Sequence, residues 1–250
     1  MGGRLGVAAL DTADGTRVRY RADERFPMCS TFKLPLVAAV LHRVDVGQEQ
    51  LGRHVIYDQA AVLEYAPTTS QHVSDGMSVE QLCEASILIS DNTAANLLLE
   101  TMGGPAGLTR FLRSIGDPTS RLDRNEPMLN TAIEGDERDT TTPSAMLATM
   151  NELLLGSALS AGSRERLRGW LVATKTGGKR LRAGLPPGFR AGDKTGTGNN
   201  GATNDIAIVW PEAKPALLIA AYSVGSSAST ERLSEMLADV ARAIVSATVG

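Results

Sequence analysis

Residues 5–11, an apolar run that ends at Asp11, and residues 17–20, where polar and apolar positions alternate, read as two strands, and the turn Ala13-Asp14-Gly15-Thr16 between them predicts a β-hairpin. From residue 30 to about 44 the spacing becomes helical, with Leu34, Val37, Ala38 and Leu41 on one face. Pro35 falls close to the start of that helix, where a missing N–H is tolerated. Helical spacing returns over 78–90 and 93–100. Gly103-Gly104-Pro105 then breaks the chain before a short helix over 108–115. Residues 116–143 are polar, rich in Asp, Arg and Pro, and without period; a loop of that length inside a compact domain is usually functional. Thr142-Pro143-Ser144 opens a helix through residue 155, and 163–171 predicts another. Strand-like segments follow at 189–197, 205–210 and 216–224. An amphipathic helix over 230–245 carries Leu233, Met236, Leu237, Val240 and Ile244.

Two strands, a run of helices and three more strands predict an α+β fold in three layers. Its centre is one five-stranded antiparallel sheet, built from both chain ends and flanked by helices, with an all-helical domain inserted. The expected division is 1–25 with 176–250 for the discontinuous α/β domain, and 26–175 for the helical one. There are no internal repeats and no low-complexity segments.

The chain has 250 residues, 42% of them hydrophobic and 21% charged, enough for a sizeable core. A formal net charge of −3 gives no reason to expect nucleic acid or an anionic membrane as partner. No apolar run reaches transmembrane length. No secretory signal precedes the first strand, so a processed or trimmed chain is expected. Cys29 and Cys83 are expected as free, packed thiols. His42, His54 and His72 form no ligand cluster, and no metal is expected.

Three short motifs carry chemistry. Ser30-x-x-Lys33 has a spacing that chance alone supplies about once in a chain this long. Its place at a helix start matters more. The two side chains lie one turn apart, and the helix N-terminus turns N–H groups toward Ser30, where an oxyanion would develop. The bland alternative is a capping serine followed by a solvated lysine. In Ser90-Asp91-Asn92 the hydroxyl suits proton relay to a leaving nitrogen, and Asn92 suits donation to an amide carbonyl; the alternative is a helix break with an Asn cap. Lys194-Thr195-Gly196 sits on a strand before a Gly-rich turn. There Gly196 would admit a substrate to the backbone and Lys194 with Thr195 would bind a carboxylate; the alternative is an edge lysine that discourages aggregation. In this order the three match the motif set of serine acyl-transfer enzymes that attack β-lactams. Glu126-Pro127-Met128-Leu129-Asn130 adds a carboxylate suited to activating water.

On these motifs the chain resembles the class A serine β-lactamases, from about residue 5 to the final helix. The resemblance extends to an omega loop at 121–139, closed by Arg124 with Asp139 and held from the helical domain by Asn96. It includes Tyr65, whose ring flanks the substrate. It implies Ser30 as the acylated nucleophile, with the backbone N–H groups of Ser30 and Thr197 as oxyanion hole. Lys33 is implied as base or relay, and Ser90 as proton carrier to the lactam nitrogen. Glu126 and Asn130 are implied to hold the deacylating water. Asn92 and the Thr197 carbonyl are implied to grip the acylamino side chain, while Lys194, Thr195 and Thr197 bind the carboxylate. Thr203 stands where many members carry a further arginine, and Arg180 matches the alternative position in the loop before Lys194.

Two disulfides known in the family are not expected here, because Gly198 faces the Cys29 position and Val37 the Cys83 position. The usual N-terminal helix has no room before residue 5, so either a truncated chain or self-association over that face of an otherwise monomeric protein is expected. The implied activity is hydrolysis of penicillins and cephalosporins, without cofactor, in the periplasm or outside the cell. The rivals are a D-alanyl-D-alanine peptidase and a β-lactam sensor that is acylated once. Both normally lack the Glu126–Asn130 water site.

Overall fold

The structure is a computed structural model and describes residues 2–212 and 214–248. The chain begins with β1 (Arg4–Asp11), β2 (Arg17–Tyr20) and the short β3 (Phe26–Pro27). A 3-10 turn at Cys29–Phe32 runs into α1 (Lys33–Asp45). Then come β4 (His54–Val55), β5 (Met77–Ser78), α2 (Val79–Leu88), α3 (Asn92–Glu100) and α4 (Gly104–Ser114). β6 (Thr140–Thr141), α5 (Pro143–Leu154) and α6 (Ala161–Val172) follow the long loop. The chain closes with β7 (Arg190–Thr197), β8 (Thr203–Trp210), β9 (Leu217–Val224) and α7 (Thr230–Thr248).

The five long strands form one antiparallel sheet in the order β2-β1-β9-β8-β7. Side chains alternate between its faces, since successive Cβ atoms point to opposite sides of a strand. Ala8, Leu10, Ile206, Ile208, Leu218 and Ala220 join the core shared with α1–α6. Val7, Ala9, Ala207, Val209, Leu217 and Ile219 pack with Leu237, Ala241 and Ile244 of α7 on the opposite face. The result is the expected α+β fold in three layers, with α7 on one side of the sheet and the other helices on the far side. No helix among the described residues is long and apolar enough to cross a membrane.

Local chemistry sets the helix starts. The Ser78 hydroxyl caps α2 and Gln81 answers to the Ser78 N–H, a reciprocal capping box. Thr142 and Ser160 cap α5 and α6. Helix boundaries differ from the pattern at four places. Gly103-Gly104-Pro105 does not separate α4 from the chain before it but starts it: the helix begins at Gly104, with Pro105 in the first turn, where a missing N–H is tolerated. The first turn before α1 is 3-10, so Ser30 precedes the α-helix and Lys33 opens it. α2 ends at Leu88, and Ser90 turns the chain with φ +63°. The cap of α3 is Asp91, which accepts from Ala94 N–H at 2.9 Å, and not Asn92. The pairs β3–β6 and β4–β5 are two residues long, too short to leave a period in the sequence.

Candidate active site

Ser30 sits between β7 and the helical layer. The residue before it, Cys29, has φ +45°, a region that only surrounding contacts hold for a residue with a Cβ. β7 supplies one such contact: a Cβ on Gly196 would come 2.8 Å from Met28 O and 3.2 Å from Ser30 N. The space that Gly196 opens is therefore filled by the turn carrying Ser30, a packing role that its sequence context did not suggest.

Glu126 is the meeting point. Ser30 Oγ donates to its Oε1 at 3.3 Å, and Lys33 Nζ lies 3.2 Å from the same oxygen. Asn130 Nδ2 donates to Oε2 at 2.5 Å. Asn130 Oδ1 is buried without a protein partner, which leaves it able to accept from a water beside that carboxylate. Asn96 holds Glu126 by the backbone: its Nδ2 donates to Glu126 O and its Oδ1 accepts from Glu126 N–H, both at 3.0 Å. The loop that carries Glu126 is closed by Asp139, which is fully buried and has φ +58°. Its carboxylate accepts from Arg124 Nε at 2.5 Å and from the N–H groups of Asp123 and Arg124 at 2.7 and 2.9 Å.

Lys33 is fully buried and commits its amine to four oxygens. Besides Glu126 these are Ser90 O at 2.8 Å, Ser90 Oγ at 3.3 Å and Asn92 Oδ1 at 2.6 Å. Burial pushes its pKa down, and the Glu126 carboxylate opposes that shift. With Asn92 Oδ1 taken by Lys33, the Asn92 Nδ2 remains to donate elsewhere. Lys194, also fully buried, approaches from β7 and donates to Ser90 Oγ at 3.0 Å. Desolvation and the nearby Lys33 charge bring its amine down to about 7. The Ser90 hydroxyl thus lies between two amines.

Arg180, 7% exposed, belongs to the loop before β7. It donates to Gly196 O at 2.8 Å and Asn204 O at 2.7 Å, and its second nitrogen to Thr197 Oγ1 at 2.6 Å. That loop is tied down by Asp205, which accepts from Leu181 N–H at 3.1 Å, and by an ion pair between Arg182 and Asp193. Burial, with the Asp193 charge adding to it, raises the Asp205 carboxyl well above the usual range.

These groups line a cleft of 330 Å³ bounded by Ser30, Tyr65, Ser90, Asn92, Asn130, Thr176, Arg180, Thr195 and Thr197. Tyr65 is half exposed at its mouth. Two larger cavities, of 770 and 980 Å³, lie beside Arg43–Arg53 and beside the 132–138 segment; neither is lined by Ser30, Lys33 or Glu126. Two residues of the site escaped sequence reasoning. Thr176 accepts from Thr195 Oγ1 at 2.8 Å, and nothing in its local sequence marks it. Asp91 holds the N–H groups of Thr68 and Thr69 at 3.0 and 2.9 Å besides capping α3, so the middle member of Ser90-Asp91-Asn92 is structural. Cys29 and Cys83 are free and buried. A Cβ on Gly198 would lie 2.7 Å from Cys29 Sγ, which places the two positions side by side without a partner thiol. Burial pushes the Cys29 thiol up to about 12, which leaves it unreactive. Among the described residues no group of three or more His, Cys, Asp or Glu side chains is arranged to hold a metal ion.

Comparison with known proteins agrees with this geometry. The model of the Beta-lactamase enzyme family matches residues 1–248. Beta-lactamase AST-1 of Nocardia asteroides is 48% identical over 246 residues, covering 98% of this chain and 79% of that protein. Beta-lactamase OXY-2 of Klebsiella oxytoca is 46% identical over 243 residues, covering 97% and 84%. Among solved structures, the class A β-lactamase of the last common ancestor of Gram-negative bacteria superposes with a TM-score of 0.97 at 60% identity, covering 98% of this chain and 94% of that one. The chain belongs to the class A β-lactamases.

Proposed function

We propose that this chain hydrolyses the β-lactam ring of penicillins and cephalosporins through an acyl-enzyme on Ser30, and so confers resistance to them. The convergence of Ser30 Oγ, Lys33 Nζ and Asn130 Nδ2 on the Glu126 carboxylate carries that conclusion. A sensor or transpeptidase needs the first two groups and has no use for a carboxylate held beside a water-accepting amide.

In acylation, Ser30 Oγ attacks the lactam carbonyl carbon and its proton passes to Glu126 Oε1, its hydrogen-bond acceptor. Lys33 is a poor choice for that proton, because its three N–H groups already donate to Ser90 O, Ser90 Oγ and Asn92 Oδ1, with Glu126 Oε1 at ion-pair distance. The N–H groups of Ser30 and Thr197 stabilise the oxyanion. As the ring C–N bond breaks, Ser90 Oγ gives its proton to the nitrogen. Lys33 lies between Glu126 Oε1 and Ser90 Oγ, so it can pass a proton to Ser90 and recover one from Glu126, leaving both as they began. In deacylation Glu126 takes a proton from a water held with Asn130. The hydroxide attacks the ester carbon, and Ser30 leaves as its hydroxyl by taking that proton back. Arg180, Thr195 and Thr197 receive the substrate carboxylate, with the buried charge of Lys194 behind them. Asn92 Nδ2 and the Thr197 carbonyl hold the acylamino group, and Tyr65 flanks it.

The division into 1–25 with 176–250 and 26–175 places the cleft at the junction of two domains. Export to the periplasm or medium and a monomeric state are the matching proposals for location and assembly; cell fractionation and sedimentation test them. The chemistry is tested by mixing the chain and Glu126→Gln with benzylpenicillin for one turnover, then reading intact mass. Turnover without a lasting adduct in the parent, and a trapped penicilloyl group in the variant, is expected. A parent that stays acylated would make the chain a sensor or peptidase.

A further inference from the structure

Building on the proposed hydrolysis, we infer that Asn204 is a positioning residue for the nucleophile. Its side-chain amide grips the backbone carbonyls of Pro27 and Met28 and so holds Ser30 where it is acylated. Asn204 belongs to a row that crosses four strands at one register: Gly6 on β1, Tyr222 on β9, Asn204 on β8 and Gly196 on β7. Each member meets the segment around Ser30. A Cβ on Gly6 would come 2.3 Å from the Phe26 ring, and one on Gly196 would come 3.2 Å from Ser30 N. Tyr222 Oη and Thr31 Oγ1 share a hydrogen bond of 3.1 Å. Asn204 Nδ2 donates to Pro27 O at 2.9 Å and to Met28 O at 3.2 Å.

The row is a bed on which residues 26–31 lie, and Asn204 is its side-chain anchor to the backbone. Such an anchor is required because Cys29 holds a left-handed φ that its own side chain disfavours. The other partners of Met28 O, the N–H and hydroxyl of Thr31, belong to the turn itself, and Thr31 meets the sheet by its side chain at Tyr222, so Asn204 is the sheet side chain that holds the backbone carbonyls of Pro27 and Met28 directly. Asn204 is fully buried and its amide has one orientation, because Ser223 N–H, at 3.2 Å, needs an oxygen to accept it. Arg180 contacts only the backbone carbonyl of Asn204, so the carboxylate site does not depend on this side chain.

The test exploits shape. Asn204→Asp keeps the acceptor for Ser223 and replaces the donor by an oxygen that can donate only when protonated. The charged or titratable groups around it are Arg180 in the loop before β7, Lys194 on β7, Asp205 on β8, Tyr222 on β9, Cys29 in the turn, and Glu126 and Asp139 of the loop packed on that turn, the Asp139 carbonyl accepting from Met28 N–H. Stopped-flow acylation by benzylpenicillin is measured for the parent, Asn204→Asp and Asn204→Ala at pH 5 and pH 9, with a melting curve at each. Relative to the parent, Asn204→Asp is expected to acylate normally at pH 5 and about 10- to 100-fold slower at pH 9, the loss typical of a misplaced reacting group. Asn204→Ala is expected to be slow at both, and deacylation, read from decay of the penicilloyl adduct, to be unchanged in either variant. Parental acylation rates in both variants, or an Asn204→Asp loss equal at the two pH values, overturn the inference alone. A parent that neither turns over benzylpenicillin nor forms an adduct overturns the hydrolase proposal and this inference with it.

Discussion

Lys33 Nζ and Glu126 Oε1 stand 3.2 Å apart with neither side chain in reach of solvent. Each charge is compensated by the other, so removing one strands its partner in a site of low polarity. Lys33→Ala is therefore expected to cost stability, about 3–5 kcal/mol by analogy with broken buried pairs. It should also lower the acylation rate by about 10²–10⁴-fold, the range for a lost proton-transfer group. Chemical denaturation and stopped-flow acylation read the two effects. A variant that acylates at the parental rate would remove Lys33 from the relay.

Arg180 grips two backbone carbonyls and the Thr197 hydroxyl, and its charge borders the cleft. Arg180→Ala is expected to raise KM for penicillins by about 10- to 100-fold, the worth of one charge-assisted hydrogen bond, with a smaller effect on kcat. Arg180→Lys should restore KM only in part, because a single ammonium cannot reproduce the fork. An unchanged KM in Arg180→Ala would show that another cation receives the carboxylate.

Lys194 predicts a pH dependence. Its amine is held down to about 7 from an ordinary 10.5 by burial first and the Lys33 charge second. Above about pH 7 the free enzyme loses this charge, so kcat/KM for β-lactams bearing a carboxylate should fall on the alkaline side. In Lys194→Arg the guanidinium stays charged and that limb should move beyond the measurable range. The sign for stability is opposite. Between pH 7 and 10.5 the unfolded chain holds a proton at this residue that the folded chain does not. The penalty of burying the charge is full below 7 and is relieved as pH rises. An identical alkaline limb in both proteins would assign it to another group.

Arg124 and Asp139 close the loop that carries Glu126. Arg124→Ala leaves a buried carboxylate and loosens residues 121–139, so deacylation should suffer more than acylation. Burst kinetics with benzylpenicillin and faster hydrogen exchange confined to that loop are expected. A uniform loss in both steps would mean that the pair supports the whole fold and not the position of Glu126.

The sequence by itself determined what is local. The strands and helices were legible because burial must be apolar, on both faces as a continuous run in β1 or on one face at helical spacing in α7. Ser30 and Lys33 were legible as a pair from their spacing of three residues, although Ser30 lies in the 3-10 turn before α1 and the two side chains meet at Glu126 Oε1. The closure of Arg124 on Asp139 and the hold of Asn96 on Glu126 were implied by likeness to a family, and the geometry agrees. Tertiary structure alone decided the rest. Asn204 reaches a carbonyl 177 positions away, and Lys194 reaches a hydroxyl 104 positions away. Thr176, Asp91 and the packing task of Gly196 left no local trace either. A hydrogen bond between distant segments imposes no period and no spacing on the chain. It appears only when sheet register and helix packing have set the two backbones at the required distance, and the same packing, by excluding water, sets the proton affinities of Lys33 and Lys194.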